Sequence, residues 1–516
     1  MNRPMLRHER RRLQQSLKEK QKKEGLDYPP TFTLPNRKSD FETVAEEKEA
    51  VQSATEEKLR VYRLLLPGLL KRLGRISDPR NQRKVKYKTD ALMLYGILMF
   101  ALQMGSRRRT NREMTTPQLI ENLQAVFPEL TGMPHQDTLS RLLEKTDVET
   151  IESIYIDLLK QLIAKKKFKH LLHKGRYLVA VDGTQKYVMS ECADERYLRR
   201  RVPGTENEYQ YYAYVLEAVL IFSNGMVLPL LSEFLENSPE LERIENDDKW
   251  KQDCELKAFY RLAARLKRMF PRLRLTLLLD GLYANGPVME ICRKNKWGFA
   301  IVLKDGSLPT VWREAKGLMR LDTEGECRHE QIWRGRRQIF RWVNEIEYDY
   351  EQGGRKKRLK VHLVTCEESW LDIDKNGTEI TRTSRHAWIL DKPTTRESVH
   401  SYCNLAARKR WLHENNILKE KHQGYQYEHI FSYHWGAMRG YHYLMHIGRM
   451  LNEMAIHSVY LTEHVKAVGE KSFIRKFREA IGNRELDRGR LRRMAASPGQ
   501  LRLIYEDNWK TSRQAA

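Results

Sequence analysis

Two apolar runs of one design constrain this chain more than any other feature: Arg176-Tyr-Leu-Val-Ala-Val-Asp-Gly and Arg274-Leu-Thr-Leu-Leu-Leu-Asp-Gly. Each is short, β-rich and closed by an aspartate and a glycine, at Asp182-Gly183 and Asp280-Gly281. That pattern predicts two buried strands, each ending in a turn. Between them, apolar runs at 211–222 and 226–234 flank Ser223-Asn224-Gly225, and Asn-Gly in such a setting predicts a β-hairpin. Residues 250–269 read as an amphipathic helix, 286–296 as a second helix and 298–304 as a further strand. Strand, hairpin, helix, strand, helix, strand is an α/β order that suits a mixed sheet covered by helices.

A chain of 516 residues exceeds what one hydrophobic core organises, so several units are expected. Residues 1–60 are highly charged with few aromatics and predict a flexible arm, frayed or partly helical. Residues 61–170 show helical periodicity, with basic clusters at 80–88 and 107–112. Within them, Pro134-His-Gln-Asp-Thr-Leu-Ser-Arg places Asp137 as the N-cap of a short helix, as in the second helix of a helix-turn-helix. The sheet region spans 171–320. A β-rich insertion follows over 321–394, with turns at Gly353-Gly354 and Asn376-Gly377. Residues 395–460 return to helix, and 461–516 form a basic helical tail.

Lys plus Arg (93) against Asp plus Glu (68) leaves a net charge of +25, which makes a polyanion the expected partner, since cationic surface gains affinity by releasing phosphate counterions. The longest apolar run, 91–102, falls short of the roughly 20 residues that cross a bilayer and predicts a buried helix. No secretory signal is read at the N-terminus, and a cytoplasmic protein is expected. The six cysteines form no CxxC pair, so they are expected to be reduced and mostly buried. No GxxxxGK[ST] loop occurs, which argues against an NTP-driven enzyme.

An aspartate leaving a strand usually only opens a turn. Its recurrence in one sheet changes the balance, because strand ends are where open α/β sheets bind ligands. Paired carboxylates repel unless cations neutralise them, and oxygen donors without thiolates specify Mg2+ or Mn2+. Two ions require about three carboxylates. Read as one helix over 395–421, the chain places Arg410, Glu414 and Lys421 on a single face at 100° per residue. A solvated face with an Arg-Glu pair is the plainer reading; a single acid between two cations also suits a metal ligand beside phosphates.

Asp182 in Val-Ala-Val-Asp-Gly-Thr, Asp280 in Leu-Leu-Leu-Asp-Gly, and Arg410-x3-Glu414-x6-Lys421 resemble bacterial insertion-sequence DDE transposases, in particular the group with a Tyr-Arg-Glu-Lys signature. The signature's Tyr position is Ala407 here. The resemblance, over roughly residues 80–460, implies an RNase H-like catalytic core interrupted by the β-rich insertion, behind an α-helical DNA-binding region. It implies cut-and-paste transposition, with Asp182, Asp280 and Glu414 as catalytic residues and ligands of two Mg2+ ions, replaceable by Mn2+. Arg410 and Lys421 would grip phosphates. Trp411, and more weakly Trp388, would stack on an extruded base. Arg107, Arg108, Arg109 and Arg141 are the expected contacts of the helical region with double-stranded DNA, both terminal inverted repeats and target. A homodimeric synaptic complex associated with the bacterial nucleoid is implied, with no membrane partner. An RNase H-like nuclease without strand transfer, and a non-catalytic transposase-derived DNA-binding protein, are the alternatives. His442 and His446 have the i,i+4 spacing of metal ligands but no third ligand in register, and read as packing or polar surface.

Overall fold

The computed structural model describes residues 5–25, 39, 41–205, 208–237 and 253–505. They divide into two compact units, Leu34–Leu273 with Trp411–Ala516, and Met1–Thr33 with Arg274–Arg410. The architecture is mixed α/β with a mostly helical N-terminal part.

The first unit opens on helices α2 (Val44–Leu73), α3 (Thr89–Ala101), α4 (Arg107–Glu113), α5 (Pro117–Val126), α6 (Gln136–Lys145) and α7 (Glu149–Ala164); α1 (Arg7–Lys23) belongs to the second unit. The capping box of Thr43 and Glu46 starts α2, which then buries Leu59, Val61, Tyr62, Leu65 and Leu66. Of the frayed or partly helical arm expected over 1–60, residues 1–4, 26–38 and 40 lie outside the described residues; elsewhere α1 packs on a strand of its own unit, and α2 is core from its midpoint. Charge alone did not predict this, because acids of α2 find basic partners: Glu47 pairs with Arg484, and Glu49 and Glu56 with Arg490. α3 is the buried helix expected from the apolar run. The cap of α6 is His135 rather than Asp137: its Nδ1 accepts from the Asp137 amide at 3.3 Å, and the Asp137 carboxylate pairs with Arg107 at 2.8 Å.

Strands β1 (Tyr177–Met189), β2 (Leu198–Arg201), β3 (Tyr209–Ile221) and β4 (Val227–Leu235) complete the sheet part of this unit. β3 pairs antiparallel with β1 on one edge, and with β2 and β4 along the other. The hairpin turns where Asn-Gly predicts it, with Gly225 at φ +84°. β1 does not end at Asp182-Gly183 but runs on to Met189 through a bulge between Gln185 and Tyr187. Gly183 is needed there for closeness rather than for turning: a Cβ would lie 2.5 Å from Glu255 Oε2 and 2.6 Å from the Tyr214 hydroxyl. Helix α8 (Glu255–Met269) packs on β3 and β4.

The second unit holds β5 (Leu275–Leu279), α9 (Gly286–Lys294), β6 (Gly298–Val302), α10 (Pro309–Leu321), β7 (Arg328–Trp333), β8 (Arg336–Gln352), β9 (Arg355–Ile373), β10 (Glu379–Leu390) and α11 (Arg396–Cys403). β5 and β6 are parallel, and β6, β10, β9, β8 and β7 follow in antiparallel order. The β-rich insertion is thus an extension of a sheet: Trp388, Ile389 and Leu390 pair with Val302, Ile301 and Ala300 of β6.

One continuous helix over 395–421 is not formed. α11 stops at Asn404, a 3-10 turn covers Ala407–Arg410, and α12 (Trp411–His422) starts afresh. Asn404 is drawn away by its side chain, which donates to Gln338 Oε1 at 2.8 Å and lies 3.1 Å from His400 Nδ1. The wheel that aligned Arg410 with Glu414 therefore fails at its first residue, whereas Glu414 and Lys421 do share α12.

α13 (Trp435–Ile456) is buried over nearly its whole length and crosses α3. The crossing is so close at Gly448 that a Cβ would stand 2.9 Å from Ala101 N and 3.0 Å from Ile97 O. Ala in place of Gly usually favours a helix by up to ~1 kcal/mol. Backbone atoms cannot move aside as side chains do, so Gly448→Ala is expected to cost about 2–3 kcal/mol net, read as a lowered denaturant midpoint with unchanged slope. The C-terminal helices α14 (Thr462–Val468), α15 (Glu470–Asn483) and α16 (Arg488–Ala496) fold back on α2 and α5. There Arg490 pairs with Glu49 and Glu56, Arg488 with Glu121 and Arg484 with Glu47, so much of the basic tail is engaged by acids. Of the cysteines, Cys292, Cys366 and Cys403 are buried, while Cys192 and Cys254 are exposed, fewer buried than expected.

Candidate functional site

In β1, Asp182 stands opposite Glu217 of β3. Directly opposed residues of an antiparallel pair project to the same face. That face is the one covered by α12 and α13: α12 packs on β1 and β3, and the Glu217 carboxylate accepts from the Tyr427 hydroxyl at 2.7 Å. The buried stripe of α12 is His413, Asn416, Ile417 and Glu420, which places Glu414 at the margin of the helix's packed side. Asp182 and Glu414 therefore belong to one unit and to elements packed on each other. Asp280 belongs to the other unit, immediately after β5, where its carboxylate accepts from the Leu282 amide at 3.0 Å and caps the turn Gly281–Tyr283.

The other expected residues divide by exposure. Trp411 is 66% exposed at the start of α12. Trp388 is 3% exposed, stacked on the His386 ring at 5.7 Å, with the Arg408 guanidinium 5.5 Å from its centroid. It is a core residue of β10 and has no face open to a base, which corrects the stacking role expected for it. Lys421 pairs with Glu428 at 2.8 Å. Arg410 closes the 3-10 turn of the second unit. Arg107 is tied to Asp137 and to the Phe431 carbonyl, and Arg109 to Glu113, while Arg108 and Arg141 are exposed. Beside them, a groove of about 580 Å³ is lined by Arg80, Lys84, Lys86, Tyr87, Asn111 and His135. Cationic and amide side chains along an open groove suit a phosphate backbone.

Sequence reasoning missed the polar interior beneath Asp182. Lys186, Glu217, Ser232, His413, Glu420, His442 and His446 are all buried there. Burial brings the Lys186 amine down to about 8 against the pull of Glu217 and Glu420. Burial, then the Glu217 charge, pushes the Glu420 carboxyl up to about 7. Burial also holds His442 well below its ordinary value, with His446 and Lys186 adding to the effect. Such a set cannot be seen along the chain, because its members come from β1, β3, β4, α12 and α13.

Among the described residues, no helix is long and apolar enough to cross a membrane. No curated protein matches this chain. Residues 70–159, which run from the end of α2 into α7, match the family model DDE_Tnp_1-associated.

Proposed function

We propose that the chain is a DNA transposase that cleaves and joins strands by a cut-and-paste route on an RNase H-like core, in the manner of the Tyr-Arg-Glu-Lys group. The observation that carries this reading is the match of the helical segment 70–159 to a transposase-associated family, in the same unit as Asp182 and Glu414. Asp182, Asp280 and Glu414 are the catalytic carboxylates of this reading. Their donor set, oxygen throughout, fits Mg2+ or Mn2+. Divalent ions held by such a set make water or a 3′-hydroxyl more nucleophilic and stabilise the leaving oxygen. Arg410 and Lys421 flank Glu414 in sequence and position phosphates; Lys421 exchanges Glu428 for a phosphate as DNA binds. Trp411, mostly exposed one turn before Glu414, stacks on a base displaced from the duplex. The groove at Arg80, Lys84 and Lys86, with Arg108 and Arg141, takes the duplex of a terminal repeat or target, and two chains pair the ends.

The test is an incubation with Mg2+ and either intact or pre-cleaved terminal-repeat DNA. Cleavage of the first and joining of the second to a target plasmid is the expected result. Cleavage without joining would assign a nuclease. Binding with neither reaction would assign a non-catalytic DNA-binding protein.

A further inference from the structure

We propose that Glu217, His442 and His446 form a structural site for a late transition-metal dication, Zn2+ by donor chemistry, which ties α13 to β3 and is separate from the carboxylates assigned to catalysis. His442 and His446 lie one turn apart on the buried side of α13, the spacing that lets two imidazoles share an ion. The chain supplies the third donor from 225 positions upstream of His442, on a strand rather than a helix. Glu217 Oε1 stands 3.6 Å from Nε2 of His442 and 3.6 Å from Nε2 of His446. The three donor atoms all fall within 4.8 Å of one another.

Those separations decide between two readings. Glu217 Oε1 and His442 Nε2 hydrogen-bond Tyr427 and Ser232 at 2.7 and 3.0 Å, but neither imidazole comes within the about 2.7–3.2 Å of a hydrogen bond to the carboxylate that both face. Ligands around a tetrahedral zinc with bonds of about 2.0–2.1 Å stand roughly 3.3–3.5 Å from each other. The two carboxylate–imidazole separations of 3.6 Å are close to that ligand spacing. His446 Nε2 supports this independently: it is buried and has no hydrogen-bond partner, an expensive condition unless something else takes its lone pair.

The surroundings hold the donors in place. Tyr427 donates to Glu217, and Lys186 Nζ stands 3.2 Å from His442 Nδ1; with an ion on Nε2 the ring carries its proton on Nδ1 and donates it to the neutral amine, which fixes the ring. Ser232 Oγ hydrogen-bonds His442 Nε2 at 3.0 Å, the contact that an ion on this nitrogen would replace. The buried acids Glu217 and Glu420 offset the buried basic residues Lys186 and Arg449, the latter 3.9 Å from Glu420. Two nitrogens and one carboxylate select zinc-like ions over Mg2+.

The test uses the full chain, purified without a metal-affinity tag, reconstituted with zinc sulfate and dialysed. One retained zinc per chain is expected by elemental analysis, with a melting temperature that falls on chelation. Reconstitution with Co2+ is expected to give the visible bands of a low-coordinate site. His446→Gln is expected to lose the retained ion, and Asp182→Asn to keep it. Should His446→Gln fail to fold, the cobalt spectrum and chelator shift of the unaltered protein still decide. No retained zinc together with no cobalt bands, or equal retention by wild type and a folded His446→Gln, overturns the proposal.

Discussion

Glu414→Gln and Asp182→Asn are each expected to reduce strand cleavage by at least about 10³-fold while leaving binding of terminal-repeat DNA within about twofold, because groups that act as a catalytic unit fail together when one is removed. Each exchange keeps the shape of the side chain and removes only its charge. Asp182 is set in the middle of β1, in register with Glu217, so the ladder that holds it does not depend on its carboxylate. Glu414 lies beside the buried stripe of α12 rather than in it. Asp280→Asn makes the sharpest comparison. Asn caps a turn as Asp does, so the hydrogen bond from the Leu282 amide survives and any loss of cleavage is chemical rather than structural. Gel-shift affinity measured beside nicking of a labelled end separates the two effects. A variant that binds and still nicks removes its residue from the catalytic set.

What was legible in the sequence was local. The Asn-Gly hairpin, the buried helix at 91–102 and the turn after Leu279 each follow from a handful of neighbouring residues, and each is present. Three expectations failed where distant chain intervened. Asp182-Gly183 looks like a strand end because Gly often ends strands, but here Gly is required by the approach of Tyr214 and Glu255. The helix over 395–421 breaks because Asn404 serves a network with Gln338 and His400, and Gln338 is remote in sequence. The arm over 1–60 was read from charge, yet Lys58 is fully buried with its amine 4.2 Å from the Phe477 ring centroid. Burial depresses that amine well below its ordinary range, a cost no local pattern announces. The pairing of Glu217 with His442 and His446 was invisible for the same reason.

Arg449→Met is expected to be the most destabilising substitution of a single charged residue in the helical interior, at about 3–5 kcal/mol, because breaking a buried ion pair leaves its acids uncompensated. Arg449 is 1% exposed and reaches Glu453 at 2.5 Å, Glu470 at 2.9 Å and Asn416 Oδ1 at 3.0 Å. Met preserves most of the volume, so the loss reports charge and hydrogen bonding rather than a cavity. The pH dependence identifies the partner. Burial raises the Glu470 carboxyl, but the charges of Arg449 and Lys419 outweigh it and hold the group at about 2. A carboxyl whose folded value lies below its unfolded value near 4.5 contributes stability above that pH and loses it as the pH falls toward 2. Wild type should therefore lose stability across this window more steeply than Arg449→Met, and the gap between them should narrow as acid is added. Adding Glu470→Gln to Arg449→Met removes one stranded charge and is expected to recover part of the loss at pH 7, by about 1 kcal/mol or more of coupling. Urea titrations of the four proteins of this cycle at pH 7 and pH 3.5 measure both effects, and a constant gap between wild type and Arg449→Met across that range would show that Glu470 is held down by Lys419 alone.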